Sequence, residues 1–242
     1  MNILTSFINL ILPPRCIKCG EILSAHNGLC SHCFNQIKFI SEPFCHICGS
    51  PFNNEKNINL TKKYVCANCL KEKKKLFDIK RSVFIYDEFS KNLILDLKFN
   101  DKTINAEILS NMMFSAGKDI WLEKPDMIIA VPLHKLRLIK RKYNQSILLA
   151  KHLSIKTKIP INYTSLIRTE NTIPQVQLSG RARLNNLKNA FMIKYPEIIK
   201  NKKIVLIDDV ETTGSTLKEC AKILKKAGAI NIYALTIART EN

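Results

Sequence analysis

Acidic residues are scarce in this chain of 242 residues: 20 Asp and Glu stand against 38 Lys and Arg, for a formal charge of +18. Such a deficit turns a protein toward polyanionic partners, through long-range attraction and counterion release. Lys is much commoner than Arg, and Ile and Asn are abundant, so compositional drift from AT-rich coding is the competing reading. Also missing is any apolar run near the roughly 20 residues that span a bilayer. Ile3 to Leu12 is apolar but short, lacks a basic leader and runs into Pro13-Pro14. It reads as a short helix capping the next module and not as a signal peptide. With no secretory leader, the chain is expected in the cytoplasm, where thiols stay reduced.

Cysteine, in contrast, is concentrated. Eight of the nine fall before residue 70 as four Cys-x-x-Cys pairs: Cys16/Cys19, Cys30/Cys33, Cys45/Cys48 and Cys66/Cys69. A gap of two residues lets both thiolates of a turn face one tetrahedral ion, and two pairs complete one zinc site. Four pairs therefore imply two structural Zn²⁺ ions. Gly20 and Gly49, each directly after the second cysteine of a pair, suit the tight knuckle turn. A disulfide framework is disfavoured by the reducing compartment, and a thioredoxin-like site needs one pair at a strand–helix junction.

Pairing the pairs sequentially keeps closure loops short and costs less entropy than a cross-braced arrangement. His26, His32 and His46 are expected to be spectators, since the thiolates already fill both shells. Residues 1–70 are thus read as a double zinc ribbon with a short N-terminal helix. Ribbons this small take most of their folding energy from metal. Zinc removal should then unfold residues 14–70 and spare the rest. Each Zn²⁺ with four thiolates carries −2, so two sites take the charge from +18 to about +14.

After a charged linker, Lys71 to Lys75, the patterning changes to that of an α/β domain over residues 78–242. Arg81 to Tyr86 reads as a strand, Phe89 to Phe99 and Ile104 to Ala116 as amphipathic helices, and Met127 to Val131 as a buried strand ended by Pro132. Lys135, Arg137, Lys140, Arg141 and Lys142 then place five cations in eight residues. A solvated helix face is the plain reading. Leaving the C-terminal end of a central strand, however, the run would face a pyrophosphate or a nucleic-acid backbone. Asn144 is a candidate cap for a helix reaching Ser154. Beyond Ile161 to Ile167, a polar segment from Arg168 through Gln175 could close over a ligand or be an ordinary loop. Ser179 then caps a helix carrying Arg181, Arg183, Asn186 and Asn189, with Leu184 and Leu187 inward. The last strand is Ile230 to Ile237. Cys220 reads as a packed core thiol.

The most telling stretch is Ile204 to Thr216. Four branched apolar residues form a buried parallel strand, followed by Asp208 and Asp209, a hydroxyl-rich turn with Gly214, and a helix over Leu217 to Ala227. A strand end facing a helix N-terminus suits phosphate, because free N–H groups and the helix dipole point at it. Thr212, Thr213, Ser215 and Thr216 add hydroxyl donors, and Gly214 lets the backbone close around an anion. Asp208 and Asp209 would repel phosphate, so they suit sugar hydroxyls or a divalent cation carried by the ligand. A plain strand-to-helix connection with a Thr cap is the alternative.

This stretch resembles the phosphoribosyl-pyrophosphate (PRPP) signature of type I phosphoribosyltransferases, except that Glu211 stands where the motif usually has an apolar residue. Together with Pro13-Pro14-Arg15-Cys16, the double ribbon, Leu97-Lys98-Phe99, Val131-Pro132-Leu133-His134, Arg141 to Gln145, Arg168 to Gln175 and Arg181 to Asn186, the chain resembles the ComF family of competence proteins. Lys142 stands where that family commonly has Gly, and Tyr143 where it often has Phe. The resemblance implies a phosphoribosyltransferase-like parallel sheet flanked by helices, and PRPP with Mg²⁺ bound by Asp208, Asp209 and Thr212 to Thr216. It also implies a bacterial cytoplasmic protein that handles single-stranded DNA in natural transformation, alongside DNA-uptake helicase or processing proteins. Active phosphoribosyl transfer to a nitrogenous acceptor is the alternative. The sequence offers no evident acceptor pocket, and Thr212 fills the place where some relatives carry a basic carboxylate. Glu211 is expected to point elsewhere.

Overall fold

A computed structural model describes residues 13–24, 28–52, 63–72, 75–99, 105–169 and 190–241. The expected helix over Ile3 to Leu12, His26, most of the polar segment before Gln175 and the helix after Ser179 lie outside these residues. Among the described residues no helix is long and apolar enough to cross a membrane.

The centre is a five-stranded parallel sheet in the order β1-β7-β6-β2-β3, built from Ile79–Ile85 (β1), Met127–Ala130 (β2), Ile161–Asn162 (β3), Lys203–Glu211 (β6) and Asn231–Arg239 (β7). Leu166–Arg168 (β4) and Phe191–Ile193 (β5) form a separate antiparallel pair. The stretch Ile161 to Arg168 therefore holds two strands in two sheets. Asn162 separates them: its side-chain oxygen accepts the N–H groups of Thr164 and Ser165 at 3.1 and 2.9 Å, making a turn.

Alternate residues of the central strands serve the two faces, as a period of two requires. On one face Ile128, Ala130, Val205, Ile207, Tyr233, Leu235 and Ile237 pack with helices over Asn105–Ala116 and Gln145–Thr157. On the other, Ile129, Ile204, Leu206, Ile232 and Ala234 meet Leu217, Cys220, Ala221 and Leu224. Those four sit at i, i+3, i+4 and i+7 of the helix Ser215–Lys226, so one stripe of it is buried. Cys220 is fully buried, and burial pushes its thiol well above the usual range.

The first ribbon belongs to the same core. Cys16, Ile17, Leu29, Cys30, Cys33 and Ile37 are buried with Val83, Phe84 and Leu93. Ile40 N–H donates to the Val83 carbonyl at 2.9 Å, and Ile85 N–H to Lys38 at 2.9 Å. Phe39 meets Phe84 edge to face at 6.3 Å. The apolar residues of the first ribbon are thus shared with the sheet and not confined to residues 14–70. The second ribbon is different: its own buried cluster is Cys45, Ile47 and Cys69.

Candidate functional site

The eight cysteines gather into two tetrads, Cys16/Cys19/Cys30/Cys33 and Cys45/Cys48/Cys66/Cys69, with all Sγ atoms in each within 4.8 Å of one another. The pairing is sequential. Cys19 to Cys30 and Cys48 to Cys66 are both 3.7 Å apart between sulfurs. A tetrahedral Zn²⁺ with Zn–S of 2.3 Å requires an S–S edge of about 3.8 Å, so the donor sets fit zinc. The knuckles are backbone-supported: Cys33 N–H points at Cys30 Sγ at 3.5 Å, and Cys66 N–H at Cys45 Sγ at 3.3 Å. The Cys45 thiol is lowered to about 4, first by the Cys48 thiol and then, against the opposing effect of burial, by backbone N–H groups of Cys48 and Cys66. His32 pairs with Gln36 at 2.8 Å, and His46 contributes its carbonyl to a bond with Arg81. Neither belongs to a tetrad.

The acid–hydroxyl stretch has one correction. β6 does not stop at Ile207 but continues through both acids to Glu211, with Asp208 opposite Thr236 and Val210 opposite Ala238 in β7. The pairing with β7 holds the strand straight past the acids, which local propensity would have put in a loop. The turn proper is Thr212 to Gly214. Gly214 takes φ +70° and opens the helix Ser215–Lys226, a left-handed position that a Cβ disfavours. A Cβ there would also lie 2.9 Å from Glu211 Oε1. Thr213 Oγ1 and Ser215 Oγ are 2.7 Å apart, so the hydroxyls converge at the helix N-terminus. A helix N-terminus and convergent hydroxyls are donors of the kind that suit an anion.

Asp208 is oriented by a residue the sequence did not flag. Ser146 Oγ donates to Asp208 Oδ1 at 3.0 Å, and the same oxygen accepts Asp209 N–H at 2.9 Å. Ser146 is held by Asn144, whose Oδ1 accepts Ser146 N–H at 2.9 Å while its Nδ2 donates to the Val131 carbonyl at 3.0 Å. Asn144 is thus both helix cap and tie to the end of β2, as its position suggested. Tyr143 adds a bond from its hydroxyl to the Leu97 carbonyl at 2.8 Å.

The basic run forms the helix Lys135–Arg141 directly after β2, capped by Lys142. The side chains of Lys135, Arg137 and Lys140 lie outside the described residues. Arg141 donates to Gln145 at 3.3 Å. Lys142 has φ +64°, and this left-handed turn is a physical reason for the glycine common at that position in the resembling family. β2 neighbours β6 in the sheet, so the run and the acids leave adjacent parallel strands at one edge.

Glu211 does not point into solvent. It is buried and ion-paired with Lys80, side chains 8% and 13% exposed. Beside them a cleft of about 780 Å³ separates the second ribbon from the turn, lined by Phe52, Cys66, Thr212, Thr213 and Lys218 among others. The one available signal for Glu211 was its departure from the apolar motif position.

Comparison with known proteins agrees with this architecture. The double zinc ribbon domain family matches residues 7–70, and the phosphoribosyl transferase domain family matches residues 143–241. Competence protein F of Haemophilus influenzae is 37% identical over 234 residues, covering 93% of this chain and 96% of that protein. The chain belongs to the ComF family. The DNA utilization protein YhgH of Escherichia coli strain K12 is 32% identical over 96% of this chain and 99% of its own length. Competence protein ComFC of Bacillus subtilis is 25% identical over 90% of this ComF-family chain and 87% of its own.

Proposed function

We propose that this ComF-family protein binds PRPP or a related phosphosugar with Mg²⁺, and single-stranded DNA, and acts in DNA uptake and handling in the cytoplasm. The reading divides the chain into a double zinc ribbon at 1–70 and a phosphoribosyltransferase-like domain at 78–242. The observation that carries it is the pair Asp208 and Asp209 at the end of a central parallel strand, followed by a left-handed glycine and converging hydroxyls at the start of a helix of 12 residues. The 5′-phosphate lies against Thr212, Thr213, Gly214, Ser215 and Thr216. The sugar hydroxyls and the Mg²⁺ carried by the ligand meet Asp208 and Asp209. The cationic helix with Lys135, Arg137, Lys140, Arg141 and Lys142 serves a pyrophosphate or a nucleic-acid backbone, supported by its place beside the acids and by the net charge of +18. DNA-uptake helicase or processing proteins are the expected partners, consistent with relatives named for competence and DNA utilization.

Calorimetry with PRPP and Mg²⁺, repeated with single-stranded DNA present, tests this directly. Binding should be lost in Asp208→Ala/Asp209→Ala. Single-strand affinity should fall by about 0.7 logarithmic units per contact for each tenfold rise in salt. Three phosphate contacts would then lose about 20-fold over a fourfold rise in salt. Neutralising Lys140, Arg141 and Lys142 should flatten that slope by about 2. Absence of PRPP binding, or a flat salt profile, would sink the corresponding half.

One observation favours a second reading, phosphoribosyl transfer. The cleft beside Thr212 and Thr213 provides acceptor space next to the turn. Electrostatic stabilisation of an oxocarbenium-like transition state would dominate there. That reading requires pyrophosphate release with some nitrogenous acceptor, abolished in Asp208→Ala/Asp209→Ala. PRPP binding with no release for any acceptor tried counts against it.

A further inference from the structure

The second ribbon presents three successive carbonyls to the sheet, and each is taken by a group of β1 or β7. Arg81 Nη2 donates to His46 O at 2.9 Å, Lys80 N–H to Ile47 O at 2.6 Å, and Arg239 Nη1 to Cys48 O at 2.6 Å. The fit is close: a Cβ at Gly49 would meet the Lys80 carbonyl at 2.6 Å. The same residues then hold the turn. Lys80 Nζ pairs with Glu211, and Arg239 lies opposite Glu211 in the β6–β7 register. The Glu211 carboxylate packs against Gly214, and Thr240, next after Arg239, bonds to the carbonyls of Glu211 and Thr212, both at 3.0 Å. A continuous chain of polar contacts therefore runs from the Cys45–Cys48 knuckle to the phosphate turn.

We propose that the second zinc ribbon positions the phosphate turn through Lys80, Arg239 and Glu211, so that its metal occupancy sets the affinity of that turn for a phosphate-bearing ligand. The physical reason is the ribbon's size. With Cys45, Ile47 and Cys69 as its own buried cluster, it cannot hold its knuckle carbonyls in place without metal. Releasing them frees Lys80 and Arg239 from one side, and the support under Gly214 relaxes. Glu211, where the motif usually carries an apolar residue, is what makes the turn responsive. These are positioning residues; none is assigned to the ligand. The first ribbon, docked by apolar packing on one sheet face, makes no such contact with Glu211 among the described residues.

The inference rests on reading Thr212 to Thr216 as the phosphate site, and the experiment separates the two. The full zinc-loaded chain, Cys66→Ser, Lys80→Met/Glu211→Gln and the combination of all three substitutions are compared by PRPP/Mg²⁺ calorimetry, zinc content and hydrogen exchange over residues 211–218. Cys66→Ser should weaken PRPP about tenfold, within the about 5–150-fold range of ordinary coupling, and speed exchange in the turn. Lys80→Met/Glu211→Gln should do the same while keeping two zinc ions, and the combined variant should lose no more than either alone. Should Cys66→Ser not fold, Cys66→His, which weakens zinc at the second tetrad while keeping a donor there, takes its place. Additive losses, or unchanged exchange in the turn when the second site is emptied, would overturn the coupling. If the unmodified chain binds no PRPP, the ligand reading fails, and the exchange data alone decide the coupling.

Discussion

The two ribbons use the same ligands and the same knuckle, yet they are attached to the molecule by different forces. The first is docked mainly by burial, with two backbone bonds between Lys38 to Ile40 and β1 beside it: Ile17, Leu29 and Ile37 continue the core that Phe84 and Leu93 begin. The second is docked by polarity, through carbonyls of His46, Ile47 and Cys48 against Arg81, Lys80 and Arg239. Apolar docking is non-directional and tolerates small shifts, whereas hydrogen bonds to fixed carbonyls transmit them. A ribbon held the first way is scaffold. A ribbon held the second way can communicate.

The sharpest break of this comparison is metal removal. Structural zinc is worth about 10–16 kcal/mol in isolated fingers, so chelation should open residues 45–52 and 63–70 fully. Because the first ribbon shares a core with the sheet, hydrogen exchange should also rise at Ile85, whose N–H bonds to Lys38, and full protection of Ile85 after chelation would show the first ribbon not to support the sheet. Next in size is Phe84→Ala. Its ring is fully buried beneath the first ribbon, so the loss should be about 3–5 kcal/mol. The midpoint of denaturant unfolding measures it, with zinc at the second tetrad retained.

The knuckle glycines give the finer test. Gly49→Ala adds a left-handed penalty of about 1–2 kcal/mol and drives a Cβ into the Lys80 carbonyl at 2.6 Å. It should cost visibly more than that penalty alone and loosen exchange at Lys80 and Arg81. Gly20 has φ +80° and nothing within 4 Å of its Cβ position, so Gly20→Ala should cost only that penalty, about 1–2 kcal/mol. Equal losses for the two glycines, read from thermal unfolding, would remove the distinction.

Much of this was legible in the residues. Cys-x-x-Cys spacing fixes local knuckles, and loop entropy selects sequential pairing; both tetrads follow. The alternation of buried strands and amphipathic helices marks a parallel α/β sheet, and the stripe of Leu217, Cys220, Ala221 and Leu224 is visible from spacing alone. Less accessible was anything that depends on a distant partner. β6 outruns its apolar run because β7 pairs with it through Glu211. Ser146 reaches Asp208 across 62 positions of chain, and Lys80 reaches Glu211 across 131. Only the mismatch of Glu211 with its motif hinted at the second contact.

The sequence by itself determined which groups could bind what: thiolates in pairs for zinc, acids and hydroxyls around Gly214 for a phosphosugar, and an excess of cations. These depend on neighbours within a turn or two, where geometry follows from spacing. Only the tertiary structure decided how the two ribbons attach and that one of them leans, through Lys80 and Arg239, on the turn at Gly214. Such attachments join residues far apart in the chain, whose meeting is set by packing of the whole sheet and leaves no local pattern to read.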